Sequence, residues 1–369
     1  MLPKNHRNRL LVILNTAAHN GAVRQLSLWL PYLNPEMWHC CIVFLREAGA
    51  LSDEVVPTGA PVFSHILRSR FDPFVVPRIL SISCRFKPDI IFTIDEQNSM
   101  ILGRLAGAVA RSSVVHAIHS TPSPERTRLP WWNRVTFGLV SRVVAVTENH
   151  RLALEKIGIP PDRIHCVVNA VPSAVADYNH RLSSPTVTAA YLGVLRKEKR
   201  VDVLLRAFAL VSDEQPYFHL SIIGSGPLEW ELRQLADELG IQKRIEWHGW
   251  QMQVTPFLNE ADFLVLPSEP GVETLSMAVL EAMALGLPVI STDVGSMRMA
   301  VVPETGIIIP HGDVAALAEA MRKMVSNRHL RVRMGEEARL RQEKLFSVDR
   351  LRNDMKRCME SLANQRRGR

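Results

Sequence analysis

Residues 261–292 read ADFLVLPSEPGVETLSMAVLEAMALGLPVIST, and this stretch decides the fold class. It predicts a buried strand ending at Pro267, an acidic loop, a helix beginning near Leu275 and then a second strand. The helix is apolar nearly all round, so we expect it to be largely buried. Its one acid is Glu281, and a buried carboxylate is costly unless something hydrogen-bonds it. The stretch therefore predicts one unit of a parallel α/β sheet that carries a carboxylate of functional interest.

The same alternation of short apolar runs with amphipathic stretches continues along most of the 369 residues. It is typical of βαβ units, and we predict two doubly wound, Rossmann-like α/β domains that face a central cleft. We place the first domain at 1–172, a polar linker at 173–185 and the second domain at 186–346. The C-terminal helix, 347–369, either crosses back onto the first domain or is peripheral. Strands are predicted at Leu10–Asn15, His39–Leu45, Pro61–Ile66, Asp89–Ile94, Ser113–His119, Arg142–Thr147, Ile164–Val168, Thr186–Leu192, Phe218–Gly224, Arg244–Gly249, Asp262–Pro267, Pro288–Thr292 and Gly306–Pro310. Helices are predicted at Val23–Leu33, Pro73–Phe86, Met100–Ala110, Glu148–Ile157, Val201–Ser212, Leu228–Leu239, Val254–Ala261 and Leu275–Leu285, and from Asp313, Leu330 and Val348 onward.

The net positive charge of the chain lies entirely in the first domain. Residues 1–172 hold 19 Lys and Arg against 12 Asp and Glu, whereas residues 173–369 hold 25 of each. A basic domain favours anionic partners such as an acidic glycan or an anionic membrane surface. We do not expect nucleic acid, because no strand interleaves aromatic residues with Lys and Arg. No apolar run approaches the roughly 20 residues of a membrane span. The five cysteines match no metal or redox spacing, which favours a reducing cytoplasm.

The predicted helix after Leu275 suits a nucleotide ligand. Backbone N–H groups and the positive end of the helix dipole lie at its start, where a diphosphate can bind. Glu281 lies roughly 6–9 Å further along the axis at 1.5 Å per residue. Ribose hydroxyls of the same ligand could therefore reach Glu281, while Glu273 in the preceding loop would face the other end.

Several motifs in this half occur in the order and spacing of a known family. Glu273 and Glu281, followed by Ala-Met-Ala-Leu-Gly-Leu-Pro-Val-Ile, resemble the paired-glutamate motif of glycosyltransferase family 4, which has the GT-B fold. The segments Leu192–Lys199 and Gly224–Leu228 are similar to the glycine-rich turns that follow the first two strands of that family's second domain. The resemblance is strong over residues 186–325 and looser over 10–172.

The resemblance implies roles for particular residues. It assigns Glu281 to the ribose, Glu273 to the donor sugar and Lys199 to the diphosphate, with help from backbone N–H groups near Leu275 and Ser276. The glycines of the turns, Gly193 and Gly226, are expected beside the donor. Retaining members use the leaving phosphate to assist attack from the same face, so the resemblance implies retention with no cofactor and no metal. The donor would be a UDP-sugar or a GDP-sugar.

Three positions depart from the family pattern. Val194 stands where the family carries arginine, so Arg196 or Arg200 is expected to reach the phosphates instead. Val23 and Met299 each replace a glutamate. These losses leave open a non-catalytic subunit that binds sugar nucleotides, and an epimerase of nucleotide sugars on the same fold also stays open.

The first domain contributes three further predictions. Gly21 follows the first strand and corresponds to a glycine of the family, although a simple turn with a helix cap explains Asn20-Gly21 almost as well. His119 ends the fifth strand, where the family's histidine contacts the reacting sugars. Arg126–Arg142 mixes arginine with tryptophan and is typical either of a helix at an anionic membrane surface or of one packed on its own domain. We therefore expect a glycan or lipid-linked acceptor and a cytoplasmic protein, peripheral on the inner face of the membrane.

A nicotinamide cofactor is not expected. Gly224 and Gly226 begin a dinucleotide fingerprint, but its third glycine is replaced by Glu229. No acid follows at the end of the next strand.

Overall fold

The computed structural model describes residues 7–18, 20–69, 72–94, 97–119, 136–174 and 185–367. The chain forms two compact units. Unit one comprises Met1–Asn169 together with Val348–Arg369, and unit two comprises Ala170–Ser347. Each unit is an α/β layer structure built on its own parallel sheet, as the sequence predicts.

Unit one contains a sheet of seven parallel strands in the order β3-β2-β1-β4-β5-β6-β7. Its central strands are buried on both faces, which explains why they read as continuous apolar runs. The strands are β1 Asn8–Leu14, β2 Trp38–Phe44, β3 Val62–Phe63, β4 Ile90–Ile94, β5 Ser113–Ile118, β6 Arg142–Ala145 and β7 Ile164–Cys166. The described residues of this unit before residue 170 include the helices α1 Gly21–Ser27, α2 Ser52–Val55, α3 Val75–Phe86, α4 Gln97–Ala110 and α5 Glu148–Lys156.

Two predicted elements of unit one are shorter than the sequence suggested. The helix predicted at Val23–Leu33 ends at Ser27, and a separate 3₁₀ turn follows at Leu30–Tyr32. Pro31 lies within that turn and lacks the N–H that would continue the helix. The strand predicted at Pro61–Ile66 is reduced to β3, because His65 has a left-handed backbone (φ 56°) that turns the chain away.

The last helix, α13 Val348–Arg367, belongs to unit one although it follows unit two in the chain. Its Arg352 Nε donates a hydrogen bond to the Leu28 carbonyl at 2.8 Å, and the guanidinium lies over the Tyr32 ring. Near the other end, Arg366 forms an ion pair of 2.8 Å with Asp89. The apolar side chains of α13 are buried: Leu351, Met355, Cys358, Met359, Leu362 and Ala363.

Unit two contains a sheet of six parallel strands in the order β10-β9-β8-β11-β12-β13. The strands are β8 Val187–Leu192, β9 Phe218–Ile223, β10 Ile245–Gly249, β11 Phe263–Leu266, β12 Val289–Thr292 and β13 Gly306–Ile309. The helices are α6 Val201–Ser212, α7 Glu229–Glu238, α8 Thr255–Asn259, α9 Met277–Ala284, α10 Met297–Ala300, α11 Val314–Ser326 and α12 Arg328–Leu345. Of these, only the one-turn helix α10 was not predicted.

A buried ion pair fastens α12 to this sheet. Arg331 Nε lies 3.2 Å from Asp262 Oδ1, and both side chains are less than a tenth exposed. Asp262 also accepts a hydrogen bond from the Thr188 backbone N–H, and Arg331 donates to the carbonyls of Met324 and Val325. These bonds offset the cost of burying two charges.

Across the described parts of both units, no helix combines the length and apolar character needed to cross a membrane. The predicted linker at 173–185 and the predicted membrane segment Arg126–Arg142 lie largely outside the described residues.

Candidate functional site

The glycine turns that follow β8 and β9 pack directly on each other. A Cβ added to Gly224, whose φ is 138°, would lie 2.0 Å from the Gly193 carbonyl oxygen. A Cβ added to Gly226 would lie 2.4 Å from the Leu195 carbonyl oxygen. Leu195 in turn donates its N–H to the Ser225 carbonyl at 3.0 Å. Glycine is therefore required at both positions because the two turns touch through their backbones.

Tyr191 packs against the turn that follows β8. Its side chain is fully buried, and its hydroxyl donates a hydrogen bond of 3.2 Å to the Val194 carbonyl. Burial raises the pKa of this phenol, and the nearby Glu273 carboxylate raises it further. The tyrosine therefore stays protonated and keeps the turn after Gly193 in place.

Lys199 and Glu273 meet beside these turns. Lys199 lies in the 3₁₀ turn Lys197–Lys199, and its Nζ is 2.5 Å from Glu273 Oε1. Ser268 Oγ donates to the same carboxylate oxygen at 2.9 Å. Glu273 is only 6% exposed, so its charge is compensated by a cation and a hydroxyl rather than by water. The structure thus brings together two residues that are 74 positions apart and that the family resemblance assigned to the diphosphate and to the donor sugar.

A third glycine turn holds the Glu273 loop from the other side. Gly295 has a left-handed backbone (φ 56°), and a Cβ there would lie 2.1 Å from the Glu273 carbonyl oxygen. Ser296 donates its N–H to the Thr274 carbonyl at 2.8 Å, and Thr292 Oγ1 donates to the Ser268 carbonyl at 2.7 Å. The loop that carries the carboxylate is therefore fixed by the chain after β12.

The helix that follows this loop, α9, begins after Ser276 and carries the second glutamate. Glu281 is half-buried, whereas Val279, Leu280 and the residues after Glu281 are buried. The expectation of a largely buried Glu281 is thus corrected. It shares a partly open face of α9 with Met277 and Ala278, because residues three and four apart lie on one side of a helix. Glu281 is accessible to a ligand and Glu273 is the more deeply buried acid.

Arg196 and Arg200, the two arginines expected to compensate for Val194, differ in their surroundings. Arg200 has a left-handed backbone (φ 52°) and bridges Glu269, at 3.1 Å, and Asp202. Arg196 is exposed and lines a cavity of about 350 Å³ together with Arg200 and Glu269. Arg200 is thus engaged with acids of unit two, and Arg196 is the arginine of this loop that is open to solvent.

The two site residues predicted in unit one lie at the ends of elements. Gly21 is the exposed first residue of α1, and the Asn20 side chain caps this helix by accepting a hydrogen bond of 2.9 Å from the Val23 N–H. This capping accounts for Asn20-Gly21 without a ligand. His119 directly follows β5 and is half-buried.

Two family models together match most of the chain. Residues 19–175 match the model described as Glycosyltransferase Family 4, and residues 179–341 match the model described as glycosyl transferases group 1. The chain belongs to the family 4 glycosyltransferases. Its two parallel sheets are the two halves of a GT-B fold.

Curated relatives of this chain include one protein named for an exopolysaccharide and one named for the lipopolysaccharide core. The exopolysaccharide phosphotransferase SCO2592 of Streptomyces coelicolor is 30% identical over 202 residues, which are 54% of this chain and 21% of that protein. The lipopolysaccharide core biosynthesis glycosyltransferase LpsE of Rhizobium meliloti is 26% identical over 281 residues, 74% of this chain and 76% of the relative. For three of the curated relatives, SCO2592 among them, the match covers less than two thirds of the relative's own length.

A solved structure shows the same fold. The crystal structure of Anabaena HepE in complex with UDP has a TM-score of 0.81 and 18% identity, and the match covers 96% of this chain and all of HepE.

Sequence reasoning missed three residues of this candidate site. Tyr191, Ser268 and Glu269 lie in or just after buried strands, and no motif singled them out. For Tyr191 the sequence did contain a physical signal, because a phenol inside an apolar strand must find a partner for its hydroxyl.

Proposed function

We propose that this protein transfers a sugar from a nucleoside diphosphate sugar to a glycan or lipid-linked acceptor during the synthesis of a cell-surface polysaccharide or lipopolysaccharide. The transfer proceeds with retention of anomeric configuration and requires no metal. Membership in the family and the names of the two relatives support this proposal.

The observation that carries the proposal is the pairing of Lys199 with Glu273 directly before α9. Gly295 packs against the backbone of the Glu273 loop, and Lys199 and Ser268 contact the carboxylate, so the charged groups are held before any ligand arrives. The start of α9 supplies backbone N–H groups and the positive end of a helix dipole. A diphosphate bound there would leave Glu281, one turn along the helix, for the ribose.

The arrangement explains how a leaving group would be stabilised. Negative charge grows on the diphosphate as the glycosidic bond breaks, and cations and amides that are already in place stabilise that charge. Lys199, Arg196 and the N–H groups near Leu275 and Ser276 are the candidates in unit two. Glu273 holds Lys199 in position and would face the donor sugar. His119, from unit one, is the candidate to contact the reacting sugars.

The distribution of charge between the two units favours an anionic acceptor. Unit one carries 26 Lys and Arg against 15 Asp and Glu, whereas unit two carries 18 against 22. A net charge of +11 on unit one favours an anionic glycan, a lipid-linked phosphate acceptor or the anionic inner face of a membrane. We place the protein in the cytoplasm, peripheral to that surface, with no nucleic-acid partner.

Thermal unfolding with UDP, GDP, ADP and NAD tests the donor site in the wild type and in Glu281→Ala. A ligand at 100 times its Kd stabilises the folded state by about 2.7 kcal/mol, which is readily seen as a rise in Tm. We expect a rise with UDP or GDP that is lost in the variant. A rise with NAD alone, or no rise with any of the four, would rule out the assigned site.

Two rival functions remain: a non-catalytic subunit, which the departures at Val194, Val23 and Met299 motivate, and an epimerase of nucleotide sugars on the same fold. A non-catalytic subunit would bind the nucleotide but would release no sugar from any donor–acceptor mixture. An epimerase would convert the donor sugar in the absence of an acceptor. Analysis of the products from donor alone and from donor with a lipid-linked acceptor separates both from a transferase.

A further inference from the structure

Unit one contains a cavity of about 730 Å³ at the edge of its sheet where β5, β6 and β7 begin. Ser113 and Arg142 are the first residues of β5 and β6, and Arg163 directly precedes β7. His119 follows the opposite end of β5, so this cavity lies at the other edge of the sheet from the residue assigned to sugar contact. Its size suits a ligand as large as a sugar phosphate.

The lining of this cavity is strongly basic. Four arginines line it, Arg111, Arg142, Arg163 and Arg366, and Asp162 is the one acid among the lining residues that the structure describes. Hydroxyl groups of serines at 112, 113 and 141 also line it. Guanidinium groups donate hydrogen bonds and accept none, so a ligand that binds to these arginines must supply acceptors.

Two of the four guanidinium groups are held by carbonyl groups of the surrounding backbone. Arg163 Nη1 donates to the carbonyls of Gly138 and Val140 at 3.3 and 3.2 Å. Arg366 Nη1 donates to the Pro88 carbonyl at 3.1 Å and is also paired with Asp89. These contacts fix each planar group while leaving its other N–H groups for a ligand, because one guanidinium carries five donors.

Arg142 connects the cavity to the C-terminal helix. Its Nη1 donates a hydrogen bond of 2.9 Å to Ser361 Oγ, and its Nε is buried with no hydrogen-bond partner among the described residues. Leu362 of α13 lines the same cavity. The part of the cavity lining that α13 supplies therefore depends on the packing of this helix against the rest of unit one.

Arg111 is the most accessible of the four. It is exposed and has a left-handed backbone (φ 53°) directly after α4. Ser112 Oγ donates to the Pro88 carbonyl at 2.6 Å, which fixes the turn that carries this arginine. Arg111 can therefore be changed with little effect on the packing of the unit.

We infer that this cavity binds a phosphate ester, carried either by a soluble sugar or glycerol phosphate or by the headgroup of an anionic lipid. Guanidinium groups bind phosphate through paired hydrogen bonds, and this cavity presents several of them already fixed in place. The net charge of +11 on unit one strengthens the attraction. The site is independent of the donor site proposed in unit two.

Calorimetric titration with glycerol 3-phosphate tests the soluble source, and sedimentation with vesicles tests the lipid source. The vesicles are phosphatidylcholine, with or without an equal part of phosphatidylglycerol. The variants are Arg111→Gln and the double variant Arg111→Gln/Arg366→Gln, and circular dichroism checks that both fold. Arg85→Gln is the matched control, because Arg85 is an exposed arginine of the same unit outside the cavity.

We expect the Kd for the phosphate ester to rise about tenfold in Arg111→Gln and more in the double variant, with no change in Arg85→Gln. Binding of glycerol 3-phosphate with this pattern assigns the soluble source, and the same pattern for the phosphatidylglycerol vesicles alone assigns the lipid. Equal binding by the cavity variants and the control, or no binding by any of them, would overturn the inference. Binding of UDP, measured in parallel, reports on unit two and would keep a failure here separate from a failure of the proposed function.

Discussion

At the scale of single residues, the site is defined by how its charges are compensated. Glu273 is buried, and Lys199 and Ser268 both contact the same carboxylate oxygen. Glu281, which the sequence placed in the most apolar surroundings, is the more accessible acid. The residue types could be predicted from the motif, but the burial of Glu281 depended on which face of α9 turned outward, and that of Glu273 on the contacts of its loop.

A buried histidine of unit one predicts how stability depends on pH. His116 is fully buried, Thr93 Oγ1 lies 2.5 Å from its Nδ1, and burial lowers its pKa to about 3, with the positive charge of Arg104 adding to the effect. The unfolded chain takes up this proton near pH 6.5 and the folded chain does not, so stability is complete above pH 6.5 and falls as the pH drops toward 3. Between pH 7.5 and 5 we expect a loss of about 2 kcal/mol from this group.

Urea unfolding at the two pH values, followed by hydrogen exchange of β4 and β5, measures this loss. His116→Gln should remove about 2 kcal/mol of the difference, while His311→Gln, which changes an exposed histidine, should leave it intact. An unchanged pH dependence in His116→Gln would contradict a neutral buried imidazole.

At the scale of elements, the site depends on turns that only glycine can form. Gly295→Ala would place a Cβ about 2 Å from the Glu273 carbonyl in addition to straining a left-handed backbone. Gly240→Ala is the matched control, since Gly240 is also left-handed (φ 70°) but has no atom within 4 Å of the added Cβ. We expect the control to lose about 1 kcal/mol of unfolding free energy and Gly295→Ala to lose at least about twice that. Thermal unfolding and UDP titration check this, and equal losses with UDP binding retained would show that the Gly295 turn does not hold the Glu273 loop.

At the scale of the whole molecule, α13 stabilises unit one although its sequence follows unit two. Met359 of this helix is fully buried, so Met359→Asp should lower the stability of unit one by at least about 3 kcal/mol. Lys356→Asp introduces the same side chain at an exposed position of the same helix and should cost far less. Hydrogen exchange near Leu28 and Asp89, which α13 contacts, reports the effect. Faster exchange in unit two alone would contradict this assignment of α13.

The sequence by itself determined the class of fold and the family. It also located along the chain all thirteen strands found in the described residues. This was possible because apolar periodicity and glycine-rich turns are local properties, readable within a window of a few residues. It left open whether α13 crosses back, overestimated α1 and β3, and did not reveal the basic cavity. Only the tertiary structure decided the position of α13, the basic cavity and the contact of Lys199 with Glu273, because each depends on the packing of segments far apart in the chain, which no local pattern contains.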